Sequence, residues 1–328
     1  MSRVTETQML RSNLQYINSS RSVIQKLNME VDSGYKVHTP GDSEASATIE
    51  KYRQALDRMD SYKNRTASVK SMLTFQDDAL SQVSDLINRA REIAQQASNE
   101  TNSSTTRAQM AEEVFQIRNH LVSIANSKYQ GKYVWGGAGA DTNAPYDPLS
   151  YTTGTGEAAV RYAWDGAAGR TTTRDVNISD DFNLTIDTPG NTVFDTAIEG
   201  MERLGRALSG LTTTPASGNT SATGGTYTFP TDFHLQTQDI SNCLDILDRA
   251  RTQDIEPERV ALGGKLRRID TAESLIELTK TSATEALDKL QNADIAESAS
   301  SLSQAQTILQ ASLQVTAKVL NLSIMDYV

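Results

Sequence analysis

From Ala45 onward, apolar or small residues recur at strictly alternating steps of three and four. They are Thr48, Tyr52, Ala55, Met59, Tyr62, Thr66, Val69, Leu73, Gln76, Leu80, Val83, Ile87, Ala90, Ala94 and Ala97. No Pro or Gly interrupts the run. Such spacing predicts a single helix roughly 80 Å long, far beyond an ordinary globular helix and suited to a coiled-coil-like bundle. Ala, Thr and Gln on the seam imply close packing with modest gain at each step. The segment "TPGD" marks the start: Thr39 can cap, Pro40 suits the first turn, and Asp42 stands at the capping-box position.

After the polar turn "SNETNSSTT" the pattern resumes at Met110, Val114, Ile117, Leu121 and Ile124, which predicts an antiparallel helical hairpin. A returning helical stretch carries Ile240, Leu244, Leu247, Leu262, Leu266, Ile269, Leu275 and Leu278, with Pro257 and Gly263-Gly264 read as local interruptions. Between the helical parts, "AAVRYAWDG", "TTTRDVNIS" and "NLTID" alternate with period two between turn residues, as short antiparallel strands do. "VFDTAIEGMERLGRALSG" reads as a short amphipathic helix, and "LTTTPASGNTSATGGTYTFP" as an exposed loop.

The outermost segments carry the most unusual pattern. Leu10, Ile17, Ile24 and Val31 recur every seven residues, with Leu14 and Leu27 beside them. At the other end Ile295, Leu302 and Leu309 do the same, followed by Leu313, Leu320 and Ile324. Two such helices can pair, yet one pair leaves much apolar surface wet, and a lone two-helix hairpin is marginal. The expectation is that neighbouring molecules cover the remainder. The alternative is that both helices fold back on the rest of their own chain.

The fold class expected is therefore mainly α: a long antiparallel helical rod with an inserted small antiparallel β domain and coiled-coil helices at both ends. Its divisions are residues 1–38, a first assembly helix; 39–136, the outgoing rod; 137–232, the β-rich insertion with its helix and loop; 233–286, the returning rod; and 287–328, the last assembly helix.

Composition narrows the chemistry. A net charge of -10 over 328 residues argues against a general nucleic-acid binder. No apolar run is long enough for a membrane span. The opening "MSRVTETQMLRSNLQYINSS" lacks the apolar core of a cleavable signal, so a cytosolic protein, or one exported without such a signal, is expected. The lone Cys243 reads as a core thiol, and His38, His120 and His234 have no metal-ligand spacing. "RVALGGKLRR" lacks the first Gly and the hydroxyl of a phosphate loop. Asp165, Asp175, Asp180 and Asp181 could serve a glycan hydrolase only if two faced each other across a cleft. No catalytic residue, metal ligand or cofactor is expected.

Three stretches carry a resemblance to a known family. "VDSGYKVHTPGDSEASATIE" has a Ser-Gly pair, a basic residue and Pro-x-Asp opening a long helix, although Ser43 and Glu44 depart from the family's Asp and Pro. "GKYVWGG", Gly131 to Gly137, follows the first hairpin, with Trp135 where Phe is usual. "AQTILQASLQVTAKVLNLSIMDYV" closes with an aliphatic-x-Asp-Tyr-aliphatic group. Together they resemble the flagellar hook-associated protein 3 family, the flagellin-related junction between hook and filament. The resemblance implies export through the flagellar channel and no enzymatic activity. It also implies terminal helices that fold on assembly and self-association in a ring.

The partners so implied are the neighbouring hook-associated protein, flagellin, and a cytosolic export chaperone that first covers Leu302, Leu309, Leu313 and Leu320. A flagellin-type filament subunit is the alternative within the family, and a cytoplasmic coiled-coil scaffold lies outside it.

Overall fold

A computed structural model of the chain describes residues 2–36, 45–99, 102–137, 144–152, 158–164, 173–179, 182–211, 227 and 231–325. It is mainly α, in the order α1 (Ser2–Ser33), α2 (Ser46–Ala97), α3 (Ser104–Ala125), β1 (Lys128–Tyr129), β2 (Lys132–Tyr133), β3 (Tyr146–Thr152), β4 (Ala158–Trp164), β5 (Asp175–Ser179), β6 (Phe182–Thr185), α4 (Asn191–Leu208), α5 (Phe233–Arg249), a π-helical turn (Ala250–Ile255), α6 (Glu256–Gln291) and α7 (Ile295–Met325). The cap expected at "TPGD" and most of the loop after α4 lie outside the described residues. Two compact units result: Met1–Ser61 with Ile276–Val328, and Tyr62–Leu275.

The second unit holds the main core. On α2, Thr66, Val69, Leu73, Gln76, Leu80, Val83, Ile87, Ala90, Ala94 and Ala97 are all buried, one unbroken seam as the spacing predicts. Beside it α3 contributes Val114, Ile117 and Leu121. The two helices run in opposite directions: Arg89 meets Glu113 at 2.7 Å, while the earlier Phe75 packs on the later Tyr129, just beyond α3. Ser103 caps α3 by accepting the N–H of Thr106. The chain then reverses through Gln130 (φ 51°) and Gly131 (φ 83°), the two positive angles of a tight hairpin turn. Trp135 is fully buried just beyond, its ring edge-on to Phe194 at 5.0 Å.

Helix α4 lies against both α3 and α5, where small residues permit close approach. A Cβ on Gly205 would stand 2.5 Å from the Phe115 ring. Arg118 of α3 forms a buried ion pair with Glu202 of α4. The β strands form three antiparallel pairs, β1–β2, β3–β4 and β5–β6, the last with an irregularity between Asn177 and Ser179.

The returning stretch differs from its sequence reading. Ile240, Leu247, Ile255, Leu262 and Ile269 are fully buried at steps of seven, apart from one step of eight between Leu247 and Ile255. The π-helical turn spans that step, and its wider winding absorbs the extra residue. Pro257 follows in the first turn of α6, and the helix runs on through Gly263 and Gly264. Burial of Leu262 and Ile269 on either side outweighs a glycine cost of about 1 kcal/mol each. Leu275 and Leu278 are exposed, since the buried row passes through Ile276 instead.

In the first unit, α2 buries Ile49, while its stripe members Tyr52, Ala55 and Met59 are only half-buried. Helix α6 adds Ile276 and Ala283, and Lys280 meets Asp60 at 2.5 Å. Helix α1 ends at Gly34, whose φ of 76° favours glycine. An isolated antiparallel bridge joins Tyr35 to Asn292. Asp294 then starts α7 by accepting the N–H groups of Ala296 and Glu297.

Candidate assembly surface

Helix α7 packs along α1 with opposite direction. At the base, the N–H of Ala293 donates to Gly34 and that of Lys36 donates to Gln291. One turn further, Ser298 Oγ donates to Glu30 at 3.4 Å. Further along, Asn13 and Tyr16 share a shallow groove of about 400 Å³ with Ile308, Ala311, Ser312 and Val315. The two helices therefore face each other over much of their length.

What they bury is meagre. Among the described side chains of both helices, only Ile17 and Ser298 are buried. Of the residues the sequence singles out, Ile24, Val31, Leu302 and Leu309 are half-buried at the contact. Leu14 (50%), Ile295 (56%) and Leu313 (42%) are exposed. The side chains of Leu10, Leu320 and Ile324 lie outside the described set.

A second row escapes the sequence reading. Tyr16 and Val23 are exposed one position before Ile17 and Ile24, and Ile308 and Val315 are likewise exposed, seven residues apart. Each helix thus carries an apolar band wider than one seam. Its inner edge meets the other helix and its outer edge is open. The missed signal was the second seven-residue step, visible as Tyr16–Val23 and Ile308–Val315. Covering each of these half-exposed side chains would contribute on the order of 1 kcal/mol, roughly half the value of burying one outright.

The other candidate chemistry does not converge. Among the described residues no three His, Cys, Asp or Glu side chains cluster as metal ligands. Asp175 on β5 accepts from Thr185 at 2.5 Å, while Asp165, Asp180, Asp181 and His38 lie outside the described residues. Cys243 is buried, which pushes its thiol up to about 12. Among the described residues no helix is long and apolar enough to cross a membrane.

The fold and the two open helices have counterparts among known proteins. Residues 4–139 match the bacterial flagellin N-terminal helical region, and residues 244–328 match the bacterial flagellin C-terminal helical region. Matched at both ends, over about two thirds of its length, the chain belongs to the flagellin-related family.

Within that family it is 28% identical over 167 residues to flagellar hook-associated protein 3 of Salmonella typhimurium, covering 50% of this chain and 52% of that protein. It is 27% identical over 120 residues to a flagellin of Clostridium tyrobutyricum, covering 36% of this chain and 32% of the relative. The chain thus spans about half the length, or less, of these curated relatives. The crystal structure of flagellar hook-associated protein 3 from Legionella pneumophila shares the fold, with a TM-score of 0.58 over 74% of this chain and 98% of that one at 15% identity.

Proposed function

We propose that this chain is a structural, non-enzymatic subunit of the bacterial flagellum that joins hook to filament. It reaches that position by export and assembles there through α1 and α7. The observation that carries the reading is the open outer edge of the helical pair, Tyr16 and Val23 with Ile308 and Val315. A soluble chain gains nothing from such a band unless other molecules cover it. The same band on α7 suits an export chaperone before assembly and axial neighbours afterwards: further copies in a ring, the adjoining hook-associated protein, and flagellin.

The similarity to a hook-associated protein, over a longer stretch than that to a flagellin, supports the junction over the filament. The test is complementation of cells lacking their own junction subunit. Full-length chain restores filament attachment, whereas Val23→Asp combined with Val315→Asp is made and exported but leaves filaments shed into the medium. Normal attachment by that double variant would contradict the role of the band. Long filaments grown from the pure chain alone would favour a flagellin-type subunit.

A further inference from the structure

A half-open cavity of about 330 Å³ lies among α2, the β1–β2 hairpin and the β5–β6 hairpin, away from the assembly helices. Three cations line it, Arg65, Lys132 and Arg174, in a chain whose net charge is -10. One carboxylate joins them: Asp187 is buried, with Oδ2 3.2 Å from Arg174 Nε. The floor is apolar, from Val69, Met72 and Ile186, and two tyrosines, Tyr129 and Tyr133, form a wall.

These groups are held in place by the surrounding fold. Arg65 Nη1 donates to the carbonyl of Asn177 at 2.8 Å, which fixes the guanidinium at the mouth. Lys128 sits over the Tyr133 ring at 4.4 Å, and Tyr129 packs on Phe75 with ring centroids 5.7 Å apart. The hairpin turn at Gln130–Gly131 brings both tyrosines to the cavity, one from each strand.

The combination is selective. A bare phosphate would find cations but gain nothing from an apolar floor or from aromatic ring faces. A neutral sugar would stack on tyrosine yet leave the cations unused. A hydroxylated ring bearing a carboxylate uses all of it: guanidinium for the carboxylate, carboxylate acceptor for ring hydroxyls, and ring faces against apolar and aromatic side chains. We infer that this cleft is a binding site for an acidic monosaccharide of the hexuronic-acid type.

The test uses the full-length chain and ligand-detected NMR or calorimetry with glucuronate, glucose, inorganic phosphate and a dipeptide with a free C-terminus. Glucuronate is expected to bind with a Kd on the order of 1 mM and the other three at least about tenfold more weakly. Exposed Arg65→Ala should weaken glucuronate binding about tenfold, and so should Tyr133→Ala, with unchanged helical content and melting. Phosphate binding as well as glucuronate would reduce the cleft to a non-selective cationic patch and overturn the inference. Glucose binding equally, the dipeptide binding better, or no glucuronate response would overturn it too.

Discussion

The backbone N–H of Ala293 donates to the carbonyl of Gly34 at 2.8 Å. With the return bond from Lys36 to Gln291 at 2.7 Å, this clasps the chain where α1 ends and α7 begins. The clasp sets the register of the helical pair, because Glu30 and Ser298 meet one turn above it.

Gly34 tests the clasp. A Cβ there meets nothing within 4 Å, so Gly34→Ala acts through backbone strain at φ 76° alone. The expected cost is about 1–2 kcal/mol, confined to the first unit. In the assembled state, hydrogen exchange should be faster in α1 and α7 of the variant than of the parent, while amides from Val69 to Ala97 keep their protection.

The Arg118–Glu202 pair should matter to the second unit. Arg118 also lies over the Phe115 ring at 4.8 Å and near the Tyr162 ring at 5.4 Å, so its charge sits among aromatic surfaces. Glu202→Ala strands that cation and should cost about 3–5 kcal/mol in denaturant unfolding. Replacing both partners by Arg118→Met and Glu202→Leu should restore most of the loss.

Gln76 is the seam's exception. It is fully buried on α2, and neither amide atom meets a hydrogen-bond partner among the described residues. Gln76→Leu should raise unfolding stability by about 1–3 kcal/mol, as removing an unsatisfied buried polar group does. A decrease would show that the amide is satisfied in solution. A polar seam residue can also fix helix register, as buried Asn does in coiled coils.

Asp187 gives the second unit a pH dependence. Burial raises its carboxyl above the ordinary value, and Arg174 offsets only part of this. Its folded pKa therefore exceeds its unfolded one, so the native state holds the proton more tightly. Its contribution to stability is present below the unfolded value of about 4 and is lost as pH rises through the folded one. Asp187→Asn should flatten that part of the denaturant-midpoint profile. An unchanged slope would assign it elsewhere.

Much of this architecture was legible in the spacing of residues. The α2 seam from Thr66 to Ala97 is buried at every predicted step, because a helix crossed on one face must repeat near 3.5 residues. Pro257 and Gly263-Gly264 misled, since local propensity was weighed without the burial of Leu262 and Ile269 around them. The eight-residue step from Leu247 to Ile255 did carry the π-helical turn, but only a row known to be buried makes one added residue meaningful. On α1 and α7 a single seam was visible and the second row was not, because Tyr16–Val23 and Ile308–Val315 each supply just one repeat. The cavity beside Arg65 was invisible, as it gathers residues far apart in sequence.

The most direct measurement is hydrogen exchange on the dilute, free, full-length chain, repeated after assembly with its axial neighbours. The account predicts rapid exchange through α1 and α7, strong protection of α2 from Val69 to Ala97, and protection of α1 and α7 gained on assembly. Protection of α1 and α7 in the free chain equal to that of the α2 seam would contradict it.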